Sequence, residues 1–196
     1  MRKIGVIGFG GRLGDLIQNV LLELGMDVKI AAVADTDLTA VRGRLRHPGL
    51  TADGIRFYTD AREMLDNEEL DGCMIGTRCN THTPYAVEVL RRNIPLFLEK
   101  PVSVTMEQLR ALDAAGKATA AQTVVSFPLR ASLPVRKAKA IIDSGEIGEV
   151  QHVQAWNNIP YGAGYYHTWC RDESVTGGLF LQKATHDLDY IQYVLD

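Results

Sequence analysis

The feature that most restricts what this chain can fold into is a glycine-rich turn set between two apolar runs of different period. Lys3 to Ile7 reads as a short strand, and it feeds Gly8-Phe9-Gly10-Gly11-Arg12-Leu13-Gly14 without a spacer. Leu13, Leu16, Ile17, Val20, Leu21 and Leu24 then recur at helical spacing, with Gly25 placed to end the helix. Strand, glycine turn and helix in immediate succession is the context that a dinucleotide-binding turn needs. Gly8 would allow the tight turn, and Gly10 would let a pyrophosphate approach the backbone. Free N–H groups at the helix start would face the phosphate charge. The candidate cofactor contacts here are Gly8, Phe9, Gly10, Gly11, Arg12 and Leu13. The strict G-x-G-x-x-G spacing is not met, because Leu13 holds the third glycine's position and Gly14 follows one later. A flexible turn without a ligand is the competing reading.

The second strand bears on that choice. Val28 to Ala34 is apolar apart from Lys29 and ends in Asp35-Thr36-Asp37. A carboxylate about twenty residues beyond the glycines, at the tip of the second strand, can accept the ribose hydroxyls of NAD and would repel the 2′-phosphate of NADP. Asp35 and Thr36 are therefore expected near the adenosine ribose. Asp35 could instead cap the helix from Leu38 to Leu45, a role open to Thr36 or Asp37 as well.

Short apolar strands then alternate with helical patterns, the signature of a doubly wound parallel sheet in an α/β chain. Strands are expected over Ile55–Tyr58, Cys73–Gly76 and Thr123–Phe127, and helices over Ala61–Asn67, Pro84–Arg92 and Thr105–Ala115. The strand at Cys73 ends in Thr77-Arg78-Cys79-Asn80-Thr81-His82, a polar cluster in which Thr77, Arg78, Asn80 and His82 are candidate ligands. Pro95-Leu96-Phe97-Leu98-Glu99-Lys100-Pro101 reads as a buried strand whose proline removes a ladder donor and holds Lys100 extended. Glu99 and Lys100 thus stand at a carboxyl strand end, where open α/β sheets bind ligands. An ordinary ion pair at a strand end is the alternative.

After Phe127 the pattern changes, which divides the chain into residues 1–127 and residues 128–196. Val135 to Ser144 is an amphipathic helix, Val150 to Trp156 a strand, and Asn157 to Thr176 a long loop with Tyr161, Tyr165, Tyr166, His167, Trp169 and Arg171. Loops of that length with aromatic content are commonly functional, and this one reads as part of a substrate wall or as packing against a neighbouring subunit. A final helix opens at Gly177-Gly178. Leu181, Ala184, Leu188, Ile191 and Leu195 form its apolar stripe, with Gln182, Lys183, His186 and Asp189 on the opposite face, which would ordinarily be solvated.

Composition narrows the function class. The chain has 196 residues, with 46% hydrophobic and 23% charged, and a net charge of −3. That leaves no basic footprint for nucleic acid and no polybasic membrane patch. No run approaches membrane-spanning length. The three cysteines are odd in number, far apart and not in C-x-x-C form, which fits reduced thiols in a cytoplasmic protein better than a disulfide framework or a metal site.

Four separated motifs together resemble the Gfo/Idh/MocA family of nicotinamide-dependent oxidoreductases over nearly the whole chain. They are the Gly8–Gly14 turn, Asp35, the pair Asn80 and His82, and Glu99-Lys100-Pro101, of which the last is the most specific. Arg130, Ser144-Gly145-Glu146-Ile147-Gly148, and Gly177-Gly178 with His186 and Asp189 are similar to the start of that family's second domain. The resemblance implies a Rossmann domain holding NAD and a partial second α+β domain for substrate and subunit association. It implies that Lys100 meets the substrate hydroxyl and moves its proton, that His186 assists as base or orienter with Lys183 beside it, and that Glu99 holds the nicotinamide ribose. Arg130, Trp169, Gln182, Lys183 and His186 are expected on the substrate side together with Lys100. The implied activity is hydride transfer between NAD and a sugar, an inositol or a related polyol, in a homo-oligomer. Two other readings stand beside it: a non-catalytic NAD-binding regulator or partner subunit, and an NAD-assisted glycosidase. Gln182 stands where many members carry aspartate, and glutamine can orient a hydroxyl but cannot accept a proton. The chain ends with the His186 helix while family members continue, so a fragment, a truncated product or a chain completed by another subunit is expected.

Overall fold

The computed structural model describes residues 1–196. The chain divides into two compact units, Met1–Val125 and Ser126–Asp196.

The first unit is built on six parallel strands. They are β1 (Arg2–Ile7), β2 (Val28–Ala34), β3 (Arg56–Tyr58), β4 (Gly72–Ile75), β5 (Leu96–Leu98) and β6 (Thr123–Val125), in the order β3-β2-β1-β4-β5-β6. Strand order reverses between β1 and β4, and a crevice opens beyond the carboxyl ends of the strands at such a switch. Both faces are covered, as a parallel sheet requires. Alternate residues of one strand therefore enter different cores. Ile7, Ala32, Ala34, Cys73, Ile75, Leu96 and Leu98 pack on one side with α3 (Ala61–Asn67) and α4 (Cys79–Arg91). Val6, Ile30, Val33 and Met74 face the other side with Phe9, Leu13, Ile17 and Val41. The doubly wound α/β sheet expected from the alternating pattern is the one observed.

Local chemistry sets the helix ends. Asp37, Asp60 and Thr105 accept backbone N–H bonds at the starts of α2 (Leu38–Arg44), α3 and α5 (Met106–Lys117). The first helix, α1 (Gly11–Leu16), continues into a π turn at Ile17–Leu21, and Gly25 ends the segment at φ +63°. Helix α4 begins earlier than the expected Pro84, so Asn80 and His82 lie within its first turns rather than ahead of it. Pro84 supplies no N–H to the carbonyl four residues back, that of Asn80, and Gln108 Nε2 donates to this oxygen instead at 2.9 Å. The helix can therefore run through the proline.

The second unit departs from the sequence reading in three places. Val150–Trp156 forms no strand, because an isolated extended segment has no ladder partner for its N–H and C=O groups; Trp156 is 79% exposed. The expected loop from Asn157 to Thr176 contains short helical turns at α7 (Gly164–His167), Trp169–Arg171 and α8 (Glu173–Thr176), the last two capped by the side chains of Thr168 and Asp172. The third departure concerns α9 (Leu179–Leu195), whose two buried residues both lie on the polar face. Asp189 is 7% exposed and Gln182 6%, while Leu188 of the apolar stripe is 55% exposed. The reason lies in the turn Pro128–Ala131. Arg130 donates from Nε and Nη2 to the two carboxylate oxygens of Asp189, so the buried acid is neutralised by a fork matched to it. Helix α6 (Leu133–Asp143) packs on the same helix.

One glycine tests the packing of the first unit. A Cβ on Gly76 would stand 2.7 Å from Leu13 Cβ, which cannot move without moving α1. Gly76→Ala should lower the unfolding free energy by about 1–3 kcal/mol. Gly116→Ala, in the last turn of α5 with no atom within 4 Å of the added carbon, should raise it by about 0.4–1 kcal/mol, chiefly by restricting the unfolded chain. Urea melts of the two variants check the contrast, and a Gly76→Ala protein as stable as the parent would remove the close approach as a constraint.

Candidate functional site

The carboxyl ends of β1, β2, β4 and β5 gather most of the candidate residues of the first unit. The β1–α1 turn leaves the sheet through Gly8, whose φ of +82° is a left-handed value that glycine adopts at little cost. A side chain there would also strike the Thr77 backbone at 2.8 Å, so the turns after β1 and β4 are in contact. Gly10 and Gly11 have open space where a Cβ would sit, apart from the Gly76 carbonyl at 3.8 Å from the Gly10 position. The N–H of Gly14 bonds to the Gly10 carbonyl, which leaves the earlier amides of α1 without a helical acceptor. Phe9 and Leu13 are fully buried, so their side chains belong to the core and only their backbone borders the crevice. Gly14 lies against the Phe9 ring, 3.0 Å from the position of its missing Cβ.

Asp35 follows β2 and is tied to the glycine turn. Its Oδ2 accepts from the Phe9 N–H at 2.9 Å and its Oδ1 from the Asp37 N–H at 3.0 Å. The helix cap is Asp37, not Asp35. A carboxylate offers about four lone-pair directions, so two remain for a ligand. Thr36 is exposed beside it.

His82 works inside the site. It is 2% exposed, and Nδ1 donates to the Pro101 carbonyl at 2.7 Å while Nε2 lies 3.2 Å from the Thr77 carbonyl. A neutral ring can donate from only one nitrogen. Burial pushes the His82 pKa below its ordinary value, against the two carbonyls that pull it upward. The next residue adds a second tie, because Thr83 Oγ1 donates to the Val102 carbonyl at 2.7 Å. Helix α4 thus clamps the segment after β5, where Glu99, Lys100 and the cis Lys100–Pro101 peptide stand. Glu99 is 6% exposed, and its Oε1 accepts no hydrogen bond. Lys100 is half-buried, close enough to His82 for its charge to oppose protonation of the ring. Asn80 is half-buried in the first turn of α4, and Arg78 is exposed. Thr77 Oγ1 accepts from Thr81 Oγ1 at 2.8 Å.

The residues fit a nicotinamide dinucleotide. Open backbone at Gly10 and Gly11 suits a pyrophosphate, the spare acceptors of Asp35 suit a ribose diol, and a buried carboxylate oxygen of Glu99 without a donor suits a second diol.

In the second unit the remaining candidates share helix α9 and its surroundings. His186 meets the Phe127 ring edge-on, with centroids 5.9 Å apart at 89°. Lys183 Nζ donates to the Tyr165 hydroxyl and lies 4.3 Å from that ring's centroid. Tyr161 meets Tyr165 edge-on at 5.3 Å. Trp169 is half-buried and Gln182 buried. The guanidinium of Arg130 is occupied by Asp189, which makes it an anchor for the helix that carries Gln182, Lys183 and His186. Sequence reasoning did not anticipate the His82 clamp, the Arg130–Asp189 pair or the Tyr165–Lys183 pair, since none has a short sequence spacing to reveal it.

A family model described as an oxidoreductase family with an NAD-binding Rossmann fold matches residues 2–127, and one described as the GFO/IDH/MocA C-terminal domain matches residues 135–196. The rhizopine catabolism protein MocA of Rhizobium meliloti is 26% identical over 194 residues, covering 98% of this chain and 56% of that protein. Inositol 2-dehydrogenase 2 of Saccharopolyspora erythraea is 28% identical over 194 residues, covering 98% of this chain and 53% of that one. The chain therefore spans about half the length of these curated relatives. Among solved structures, myo-inositol 2-dehydrogenase from Lactobacillus plantarum superposes with a TM-score of 0.84 at 24% identity, over 98% of this chain and 56% of that one, and so shares its fold.

The His82 clamp has a pH signature. Its folded pKa lies below the ordinary 6.5, so the unfolded chain binds the extra proton more readily. Stability from this group is therefore complete above pH 6.5 and is lost as pH falls toward the folded pKa. His82→Gln should lower stability by about 1–3 kcal/mol near neutrality, since the buried Pro101 carbonyl loses its donor. It should also flatten the acid slope, which melts of both proteins across pH 4 to 8 would check, and equal slopes would exclude the buried neutral ring.

Proposed function

This chain belongs to the Gfo/Idh/MocA oxidoreductase family, and we propose on that basis that it takes part in hydride transfer between NAD and a sugar, an inositol or a related polyol. The observation that carries the reading is the meeting of the glycine turn, Asp35 and the buried Glu99 with Lys100 at adjoining strand ends of one sheet. The names of its relatives support the substrate class, because they include inositol 2-dehydrogenases and a scyllo-inositol 2-dehydrogenase described as NAD(+)-dependent.

Gly8, Gly10, Gly11 and Arg12 bind the pyrophosphate through backbone amides and one guanidinium. Phe9 and Leu13 contribute backbone and core packing. Asp35, with Thr36 beside it, takes the adenosine ribose and selects NAD over NADP, because a 2′-phosphate would meet a like charge already fixed by two amides. Thr77, Arg78 and Asn80 line the nicotinamide side, and His82 acts by holding the Lys100 segment in place. Glu99 accepts from the nicotinamide ribose.

A bound nicotinamide supplies the hydride acceptor or donor. Lys100 takes the hydroxyl proton as the alcohol is oxidised, and returns it in the reverse direction. His186 assists as base or orienter, with Lys183, Gln182 and Trp169 recognising substrate hydroxyls. Gln182 orients through its amide and moves no proton.

Two variants test this reading. Lys100→Ala should reduce polyol turnover by about 10²–10⁴-fold, the usual contribution of a positioned acid or base, while NAD affinity by fluorescence titration stays within about threefold. Turnover at the parent rate would sink the assignment. Asp35→Asn should shift the ratio of NADP to NAD affinity upward by about tenfold or more. An unchanged ratio would take cofactor selection away from Asp35.

A further inference from the structure

A single ion pair joins the glycine turn to the end of β5. Arg12 Nε lies 3.5 Å from Glu99 Oε1, and the two side chains differ in solvation, at 63% and 8% exposed. That separation is beyond a good N–H···O bond, so the contact is Coulombic. The same Oε1 is buried and accepts no hydrogen bond. A buried carboxylate oxygen without a donor is unfavourable until one arrives. The hydroxyls of a ribose are such donors. Arg12 itself stands in the first turn of α1, where the amides ahead of Gly14 have no helical acceptor and where phosphate charge is favoured. Its guanidinium is therefore paired with one anion of the protein, and its backbone stands in the turn of helix that a phosphate would face.

We propose that Arg12 is shared between Glu99 and such a phosphate. In the free protein it neutralises Glu99. In the dinucleotide complex the nicotinamide ribose takes Glu99, and Arg12 moves to the pyrophosphate. This rests on the reading that a nicotinamide dinucleotide occupies these strand ends. The exchange makes recognition of the two halves cooperative. A nucleotide that lacks the second ribose, such as ADP, meets an arginine still held by Glu99. Only the whole dinucleotide releases that charge to the phosphates, so the site discriminates against adenine nucleotides that would otherwise fill its first half.

Calorimetric titrations of ADP and of NAD into the full chain test the exchange, using the parent protein, Arg12→Met, Glu99→Gln and the double variant. Glu99→Gln should tighten ADP binding by about fivefold, because Arg12 is no longer held, and should weaken NAD binding. Arg12→Met should weaken NAD by about tenfold and ADP by less than about twofold, since ADP never recruited the guanidinium. In the double variant the ADP gain should vanish. Arg12 is exposed, so its substitution tests the idea even if Glu99→Gln fails to fold, which thermal melts would reveal. Equal weakening of ADP and NAD by Arg12→Met would overturn the exchange. So would an ADP gain that survives in the double variant, because it would then arise from the lost charge of Glu99 alone. A parent chain that binds neither ADP nor NAD would instead remove the dinucleotide reading, and this proposal with it.

Discussion

The contact on which the rest of the first unit depends is the one between the turns that follow β1 and β4. These strands are neighbours across the switch in strand order, so their exits must diverge while their backbones nearly touch. Gly8 meets Thr77 and Gly76 meets Leu13, each at a distance that leaves no room for a Cβ. The usual dinucleotide turn places its third glycine on the helix so that the helix can approach the sheet. Here a leucine occupies that place, and the missing volume has moved across to Gly76 on the facing strand end. Gly14, one residue later, makes the corresponding approach to the Phe9 ring. The spacing departs from the pattern while its physical requirement, one absent side chain per close contact, is still met.

From that contact the site is assembled by hydrogen bonds between successive strand ends. Asp35 holds the Phe9 amide, so the turns after β1 and β2 are joined. His82 and Thr83 bind the carbonyls of Pro101 and Val102, so the segment after β5 is held by α4. Glu99 and Lys100 are thereby fixed by residues that need touch no ligand. The second unit uses a related device at α9, where the Arg130 fork neutralises a buried Asp189 and so determines which face of the helix turns inward. A buried pair of this kind is a weak source of net stability, since desolvation offsets much of the attraction. Its consequence here is orientation.

Much of the first unit was legible because its information is local. Short apolar runs in the strands, glycine at a turn, and Asp or Thr before a helix are all read over a few positions, and Asp37, Asp60 and Thr105 cap as short-range chemistry predicts. Helix α4 began earlier than Pro84 suggested because the carbonyl the proline leaves unpaired is satisfied by Gln108, 28 residues away. Val150–Trp156 has strand-like composition, but a strand needs a partner, and partnership is not a property of the segment. The face of α9 was misread for the same kind of reason: polarity indicates solvation only when no counter-charge is brought to it.

The sequence alone determined the alternation of strand and helix, the glycine turn, the acid after β2 and the Glu99-Lys100-Pro101 strand end, because each rests on backbone preference or on residues a few positions apart. Tertiary structure decided that Glu99 is a buried acid facing Arg12, that His82 is buried against the Pro101 carbonyl, and that Arg130 pairs with Asp189. Those pairs are separated by 87, 19 and 59 positions. A hydrogen bond or ion pair draws its strength from distance and desolvation in space, and sequence separation carries neither. What the Gly8–Gly14 turn is opposed to could be settled only once β4 and β5 had brought Gly76, Thr77 and Glu99 to its side.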